Sequence, residues 1–260
     1  MKRIRVPDLK EKKRRGQKIA MLTAYDAAMA RLLDSAGIDV LLAGDSVGMA
    51  VLGYETTIPV TLDAMVHHTA AVARGTSHAL LVADMPFLTY QVNAAEALRN
   101  AGRLVQEGGA HAVKLEGGRA VAEVVGRLVD SGIPVMGHLG LLPQSVHQAG
   151  GFRQQARTKD DAGRLMEDAR LLQAAGAFAL VLEHIPAEVA RGVTEELSIP
   201  TIGIGAGPHC DGQVLVTYDV LGFSQECPPP FARQYAKLGE AIVAAARQYA
   251  EDVRERRFPQ

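Results

Sequence analysis

The chain contains 260 residues, of which 48 % are hydrophobic and 22 % are charged, and its formal net charge is −1. This composition is typical of a globular α/β protein, and the near-zero charge argues against binding to nucleic acid or to an anionic membrane surface. No apolar run approaches the ~18 residues that span a bilayer, and the charged N-terminus lacks the pattern of a signal peptide. The two cysteines, Cys210 and Cys227, match no zinc-binding spacing and predict a reducing, cytoplasmic location.

The chain begins with a basic segment at 2–16, which predicts a solvated helix that covers the floor of the fold. Short apolar runs rich in Val, Ile and Leu then alternate with stretches of helical period, several of which end at glycine. A long charged helix is predicted at about 231–255. The apolar runs lie at 18–25, 39–46, 79–87, 112–118, 133–140, 178–185, 199–207 and 213–222.

Continuously apolar strands are typical of parallel sheets that helices cover on both faces. Eight β-then-α units in this length predict a (β/α)₈ TIM barrel that forms a single domain over residues 1–260. The alternative is a doubly wound open sheet. Such a sheet usually carries GxGxxG after its first strand, and that motif is absent here.

Acidic residues end four of the predicted strands: Asp45, Asp84, Glu116 and Glu183. Because the active sites of TIM barrels lie at the C-terminal ends of the strands, we expect these acids to meet at one mouth. Taken singly, each could instead cap a turn or lie at a partly solvated strand end. Their shared position favours a functional site.

Alternation along strand four places Lys114 and Glu116 on the same face, pointing into the mouth of the barrel. The alternative is an internal ion pair that only stabilises the barrel end. Asp45, Asp84 and Glu116, expected to have no thiol and no obvious imidazole partner, are typical ligands of a hard cation, Mg²⁺ before Zn²⁺. Glu183, on a separate strand, would then be free to act as a base.

Two features near strand five are less specific. His138 ends the strand and is expected at the rim, without an assigned catalytic role. The polar stretch 141–159, LLPQSVHQAGGFRQQARTK, is typical of a mobile lid, and its alternative is a disordered connection.

Several motifs occur together in the order of a known family: GDSVGM (44–49), VADMP (82–86), VKLEGG (113–118) and LVLEHIP (180–186). Over roughly 5–255 the sequence resembles the ketopantoate hydroxymethyltransferase family. The resemblance implies a TIM barrel that uses Mg²⁺ and assembles as a homodecamer. It also implies transfer of a one-carbon unit from 5,10-methylenetetrahydrofolate to 3-methyl-2-oxobutanoate, giving 2-dehydropantoate for pantothenate biosynthesis by metal-stabilised enolate chemistry.

Carried onto this chain, the resemblance makes Asp45, Asp84 and Glu116 the metal ligands and Glu183 the catalytic proton acceptor. It also implies that the 2-oxo acid is bound by Asp45, Ser46, Asp84 and Lys114. The sequence departs from the family pattern at two places in the expected lid. Leu142 stands where the family usually has Thr, and residues 150–157, GGFRQQAR, differ from the usual motif. They concern loop closure and folate contacts, and the residues that bind folate are not assigned.

Three rival functions remain open from the sequence. The first is another metal-dependent enolate enzyme of the phosphoenolpyruvate mutase and isocitrate lyase type, which usually carries a cysteine or second lysine motif that is absent here. The second is an aldolase that uses Lys114 as a Schiff-base nucleophile. The third is a non-enzymatic ligand-binding or scaffolding barrel.

Overall fold

A computed structural model describes residues 2–223 and 229–259, and Cys227 lies outside these ranges. The chain divides into two compact units, Met1–Val214 and Leu215–Gln260. The prediction of one domain over the whole chain stays a prediction.

Eight parallel strands close into a barrel in chain order, which confirms the predicted TIM-barrel fold. Each predicted apolar run overlaps one strand. Most runs are longer than their strands because they include residues of the turn that follows, whereas the run 133–140 ends with its strand and β8 begins one residue before the run 213–222. The last run is the clearest case: predicted at 213–222, its strand ends at Leu215, and a short helix follows. The strands are β1 Ile19–Thr23, β2 Val40–Ala43, β3 Leu80–Asp84, β4 Ala112–Glu116, β5 Val135–Gly140, β6 Ala179–Glu183, β7 Thr201–Ile204 and β8 Gly212–Leu215.

The helices follow the capping signals of the sequence. Side chains of Asp26, Thr61, Asn93 and Thr158 each accept a backbone N–H of the first turn of the helix they precede. The helices are α1 Val6–Arg14, α2 Ala27–Ser35, α3 Val47–Ala50, α4 Leu62–Gly75, α5 Ala94–Gln106, α6 Ala122–Asp130, α7 Val146–Ala149, α8 Lys159–Ala174, α9 Ala187–Glu196, α10 Thr217–Val220 and α11 Leu238–Arg254. Two 3₁₀ turns lie at Arg119–Val121 and Pro143–Ser145.

The floor of the barrel is closed by the N-terminal segment, as predicted. Leu9 of α1 is fully buried, and it belongs with Ile4 to the hydrophobic cluster that fills the barrel interior. Lys13 anchors the same helix through an ion pair of 2.7 Å with Asp211. Apolar burial and this ion pair together fix α1 at the N-terminal ends of the strands.

The interior of the barrel changes from apolar to charged towards the C-terminal ends of the strands. In β4 the interior positions are Ala112, Lys114 and Glu116, which are two residues apart and all buried. In β3 the interior series likewise ends on Asp84, which is the register partner of Lys114. The predicted alternation of side chains along strand four is therefore confirmed, and it concentrates ionisable side chains at one mouth of the barrel.

The unit Leu215–Gln260 contains α10 and α11. α11 begins at Leu238 rather than near residue 231, so the predicted start of the last helix is wrong. The preceding residues form a turn in which the N–H groups of Tyr235 and Leu238 donate to the carbonyl oxygens of Val220 and Leu221. Within residues 2–223 and 229–259, no helix is both long and apolar enough to cross a membrane.

Gly140 ends β5 with a backbone φ of 95°, and a Cβ at this position would collide with the carbonyl oxygen of Glu183. We predict that Gly140→Ala lowers the free energy of unfolding by about 1–3 kcal/mol, because a residue with a side chain is strained in this backbone conformation. Denaturant unfolding measures the loss. Gly163→Ala, in the exposed middle of α8 with open space around it, is the control and should stabilise the chain by about 0.4–1 kcal/mol. Equal stability of both variants would contradict this prediction.

Candidate active site

Three of the predicted site acids come together at the C-terminal mouth of the barrel. Asp45 lies in the turn after β2, Asp84 ends β3 and Glu116 ends β4, and each is at most 5 % exposed. The backbone N–H of Asp45 donates to Oδ2 of Asp84 at 3.1 Å. The structure therefore brings side chains that are distant in the sequence into one buried group.

Lys114 neutralises part of this charge. Its Nζ lies 2.6 Å from Oδ1 of Asp84, and both side chains are buried. Burial alone lowers the pKa of Lys114, but the negative charges of Asp84, Glu116 and Asp45 outweigh burial and raise the pKa above its ordinary value. The ammonium group is therefore charged at neutral pH.

His138 of β5 lies between two carboxylates. Its Nδ1 is 3.6 Å from Oε1 of Glu116, and its Nε2 is 3.1 Å from Oε2 of Glu183. Burial and the charge of Lys114 lower the pKa of His138, but the two carboxylates raise it to about 9. A charged imidazole thus connects the buried acids to Glu183, the acid predicted to be the base.

Negative charge exceeds positive charge at the mouth. Four carboxylates face one ammonium group and one imidazole. Burial, followed by repulsion from Asp84 and Glu116, raises the pKa of Asp45 well above its usual range. Burial acts in the same direction on Glu116, but His138 and Lys114 together lower its pKa. The site can therefore accommodate an additional cation.

A chain of polar groups from two loops supports these acids. Gln144, in the turn after β5, donates from Nε2 to Oδ2 of Asp45 at 2.8 Å, and its backbone N–H donates to Oε2 of Glu116 at 3.0 Å. Tyr90, in the loop after β3, donates its hydroxyl to Oε1 of Gln144 at 2.7 Å. The backbone N–H of Glu116 donates to the same hydroxyl at 3.1 Å.

Ser46, predicted to contact the substrate, lies at the same mouth. Its Oγ is 2.9 Å from the hydroxyl oxygen of Tyr25, which follows β1. The residue before Asp45 is Gly44, where a Cβ would lie 2.9 Å from Oγ of Ser46 and 3.4 Å from Oδ2 of Asp84, so a larger residue would require the Ser46 hydroxyl to shift. The GDS motif therefore packs a hydroxyl and a carboxylate closely against the end of β3.

Glu183 differs from the other acids because its side chain is 15 % exposed. The next residue, His184, has a φ of 46°, a left-handed conformation that is rare outside glycine. Its N–H donates to the carbonyl oxygen of Ile204, and its own carbonyl oxygen accepts the N–H of Gln155. This backbone strain at the rim is held by the surrounding structure, as is common at functional sites.

The donor set suits a hard divalent cation in chemistry but is not arranged as a finished site. Asp45, Asp84 and Glu116 offer carboxylate oxygens, and Oδ1 of Asp84 is buried without a hydrogen bond beside its ion pair with Lys114. Across the described parts of the chain, no three His, Cys, Asp or Glu side chains are grouped so that they could hold a metal ion. Lys114 and Gln144 contact carboxylate oxygens of these acids.

Sequence reasoning missed Tyr25, Tyr90 and Gln144 and gave His138 no role. His138 could have been placed, because it is the register partner of Glu116 and obeys the same alternation as the residues of β4. The other three lie beyond strand ends, where only their nearness to the rim is a signal. Their contacts depend on how the loops fold back.

The sequence is similar to proteins of one known family. The sequence profile described as Ketopantoate hydroxymethyltransferase matches residues 3–260. A Syntrophus aciditrophicus protein named 3-methyl-2-oxobutanoate hydroxymethyltransferase is 58 % identical over 247 residues, which cover 95 % of this chain and 91 % of that protein. A protein of the same name from Thermosynechococcus vestitus is 57 % identical over 98 % of both chains.

Solved structures with the same fold are much more distant in sequence. A phosphonopyruvate hydrolase, in a structure described as a complex with oxalate and Mg++, has a TM-score of 0.64 and 13 % identity, covering 97 % of this chain and 88 % of that one. A 2,3-dimethylmalate lyase of the PEP mutase/isocitrate lyase superfamily has a TM-score of 0.61 and 17 % identity, covering 96 % and 84 %. These likenesses establish the barrel alone.

The family profile spans nearly the whole sequence, and the curated relatives are more than half identical along it. The chain therefore belongs to the ketopantoate hydroxymethyltransferase family, a family of enzymes.

Proposed function

We propose that this enzyme transfers a hydroxymethyl unit from 5,10-methylenetetrahydrofolate to 3-methyl-2-oxobutanoate, giving 2-dehydropantoate for pantothenate biosynthesis, with Mg²⁺ as cofactor. The observation that carries the proposal is the buried group of Asp45, Asp84 and Glu116 with the ion-paired Lys114. The names of the curated relatives support the substrate, and the oxalate and Mg++ of the phosphonopyruvate hydrolase structure support a metal with a small carboxylic acid.

The reaction requires removal of a proton from C3 of the 2-oxo acid near neutral pH. Mg²⁺, held by Asp45, Asp84 and Glu116, would supply Lewis acidity that favours negative charge on the substrate oxygens. Lys114 adds a fixed positive charge beside the same acids, since its ammonium group stays protonated. The buried setting strengthens these interactions relative to water.

We assign substrate binding to Asp45, Ser46, Asp84 and Lys114. Two of them contribute groups that can donate to carboxylate or carbonyl oxygens: the hydroxyl of Ser46, oriented by Tyr25, and the ammonium group of Lys114. A small 2-oxo acid bound between these donors would present its C3 towards the more exposed side of the mouth, where Glu183 lies.

Glu183 is the proposed proton acceptor. It is the most exposed of the four acids, and its carboxylate contacts the imidazole of His138 at 3.1 Å. His138 can hold this carboxylate in position while it faces the substrate. After proton removal, C3 of the enolate would attack the methylene carbon of the folate and form the new C–C bond. One water molecule would supply the hydroxyl oxygen of the hydroxymethyl group as both C–N bonds to that carbon break. The C3 proton and one proton of the water would end on the two nitrogens of the departing tetrahydrofolate.

Bulk water must be kept from the enolate until C3 has attacked the methylene carbon, and we assign this task to the segment 141–159. Its first part is packed rather than loose, because Leu141 and Val146 are buried. The backbone N–H of Leu141 donates to the carbonyl oxygen of Glu183, and that of Gln155 donates to the carbonyl oxygen of His184. A loop whose two ends are fixed beside the base is well placed to cover it.

The Schiff-base alternative is disfavoured by the state of Lys114. Its Nζ is 2.6 Å from Asp84, and the surrounding acids raise its pKa, so it is a poor nucleophile at neutral pH. A purely structural ion pair is disfavoured as well, because the pair lies within a group of acids that carries excess negative charge.

A homodecamer and a cytoplasmic location remain part of the proposal. α11 has no buried residue, and its apolar side chains Ile242, Tyr249 and Val253 are exposed. Such an apolar surface supports association with other chains.

A coupled assay tests the proposed reaction. We expect 2-dehydropantoate to form when 5,10-methylenetetrahydrofolate, 3-methyl-2-oxobutanoate and Mg²⁺ are all supplied, and EDTA to abolish it until Mg²⁺ is restored. Borohydride added with the keto acid should leave Lys114 unmodified by mass spectrometry. Activity that resists the chelator, together with added mass on Lys114, would favour the imine mechanism instead.

Glu183→Gln tests the assignment of the base. The variant keeps the size of the side chain but cannot accept a proton, so we expect exchange of the C3 proton into deuterated water to fall about 100-fold or more. Affinity for the keto acid should be retained. NMR of the substrate measures the exchange, and Glu188→Gln, on the exposed first turn of α9, is the control. Normal exchange in the Glu183 variant would show that another group takes the proton.

A further inference from the structure

One loop residue connects two of the proposed metal ligands, one through its amide side chain and the other through its backbone N–H. Gln144 lies in the 3₁₀ turn Pro143–Ser145 after β5 and is 3 % exposed. Its Nε2 donates to Oδ2 of Asp45 at 2.8 Å, and its backbone N–H donates to Oε2 of Glu116 at 3.0 Å. A single loop residue therefore contacts acids that follow two different strands.

The orientation of this amide is fixed by its neighbours. Nε2 also lies 2.9 Å from the carbonyl oxygen of Met85, which can only accept a hydrogen bond. On the other side, the hydroxyl of Tyr90 lies 2.7 Å from Oε1 of Gln144 and 3.2 Å from the carbonyl oxygen of Glu116, and the shorter contact is the better hydrogen bond for its single proton. The NH₂ group must therefore face Asp45.

Gln144 donates a hydrogen bond to one oxygen of each acid and none to the other oxygen. Its donors reach Oδ2 of Asp45 and Oε2 of Glu116, but neither Oδ1 nor Oε1. A carboxylate with one oxygen fixed cannot rotate freely, so the direction of its second oxygen is set. Groups that orient ligands in this way typically change metal affinity by about 10–100-fold when they are removed.

We propose that Gln144 is a positioning residue that orients Asp45 and Glu116 for a divalent cation and ties the segment after β5 to that site. This inference rests on the proposed function, because it presupposes that the two acids bind a metal. A packing role alone would not require a buried amide whose donors and acceptor are all used by the site and its supporting loop.

The test is the affinity for Mn²⁺ alone, measured on the full chain without either substrate by electron paramagnetic resonance. Gln144→Met keeps the volume but removes the donor, and we expect its Mn²⁺ affinity to fall about 10–100-fold. Gln106→Met is the matched control: Gln106 is the exposed last residue of α5, and it has no hydrogen bond to Asp45, Glu116 or Gln144. It should bind Mn²⁺ as the wild type does.

Turnover provides a second readout that separates positioning from structural damage. If Gln144 acts through the cation, kcat of Gln144→Met should be low at limiting Mg²⁺ and recover as Mg²⁺ approaches saturation. A misfolded site would not recover. Tyr90→Phe removes the hydroxyl that holds Oε1 of Gln144, keeps the ring and should weaken Mn²⁺ binding in the same direction.

Unchanged or tighter Mn²⁺ binding by folded Gln144→Met would overturn the proposal, since tighter binding would mean that the amide competes with the cation. If that variant does not fold, Tyr90→Phe decides by the same criterion. Absence of Mn²⁺ binding in the wild type would refute the proposed metal site itself. Binding that Asp45→Asn abolishes but Gln144→Met retains would refute the positioning role alone.

Discussion

The structure of this protein depends on one constraint: charged side chains buried at the end of a closed barrel must satisfy one another. Below the mouth the interior is filled by apolar side chains, and near the C-terminal ends of the strands it becomes ionic. Removing one partner of a buried ion pair typically costs about 3–5 kcal/mol, because the other charge is left unpaired. The pair of Lys114 and Asp84 therefore ties the stability of the barrel to the composition of its active site.

The same constraint makes the site suited to a divalent cation. Asp45, Asp84 and Glu116 are contacted by Lys114, His138 and Gln144, and the carboxylates at the mouth outnumber the cationic groups. Burial, followed by repulsion from Asp84 and Glu116, raises the pKa of Asp45, and a divalent cation would offset that repulsion.

The sequence was sufficient to predict the barrel and the meeting of four acids and Lys114 at one mouth, because both follow from local patterns along the strands. Continuous apolar runs predict buried parallel strands, and alternation by two decides that Lys114 and Glu116 share a face. The predicted length of the eighth strand and the predicted start of the last helix were wrong. Turns, rather than a change in hydrophobicity, set the end of β8 and the beginning of α11.

The supporting residues could not be predicted in the same way. Gln144 and Tyr90 lie on loops, and their contacts with Asp45 and Glu116 depend on how segments some 30 to 100 residues apart fold over the mouth. No periodicity marks such residues in one sequence. The strained backbone of His184 is equally invisible, since nothing in LEHIP distinguishes a left-handed histidine from an extended one.

We propose that three carboxylates from three different strand ends share one divalent cation. A crystal structure of the protein with Mn²⁺ and 3-methyl-2-oxobutanoate, with anomalous data recorded near the manganese edge, would decide whether they do. We expect one anomalous peak at the barrel mouth among Asp45, Asp84 and Glu116, with the keto acid beside Lys114. An empty mouth, or a metal bound elsewhere while the keto acid occupies the site, would refute the shared site.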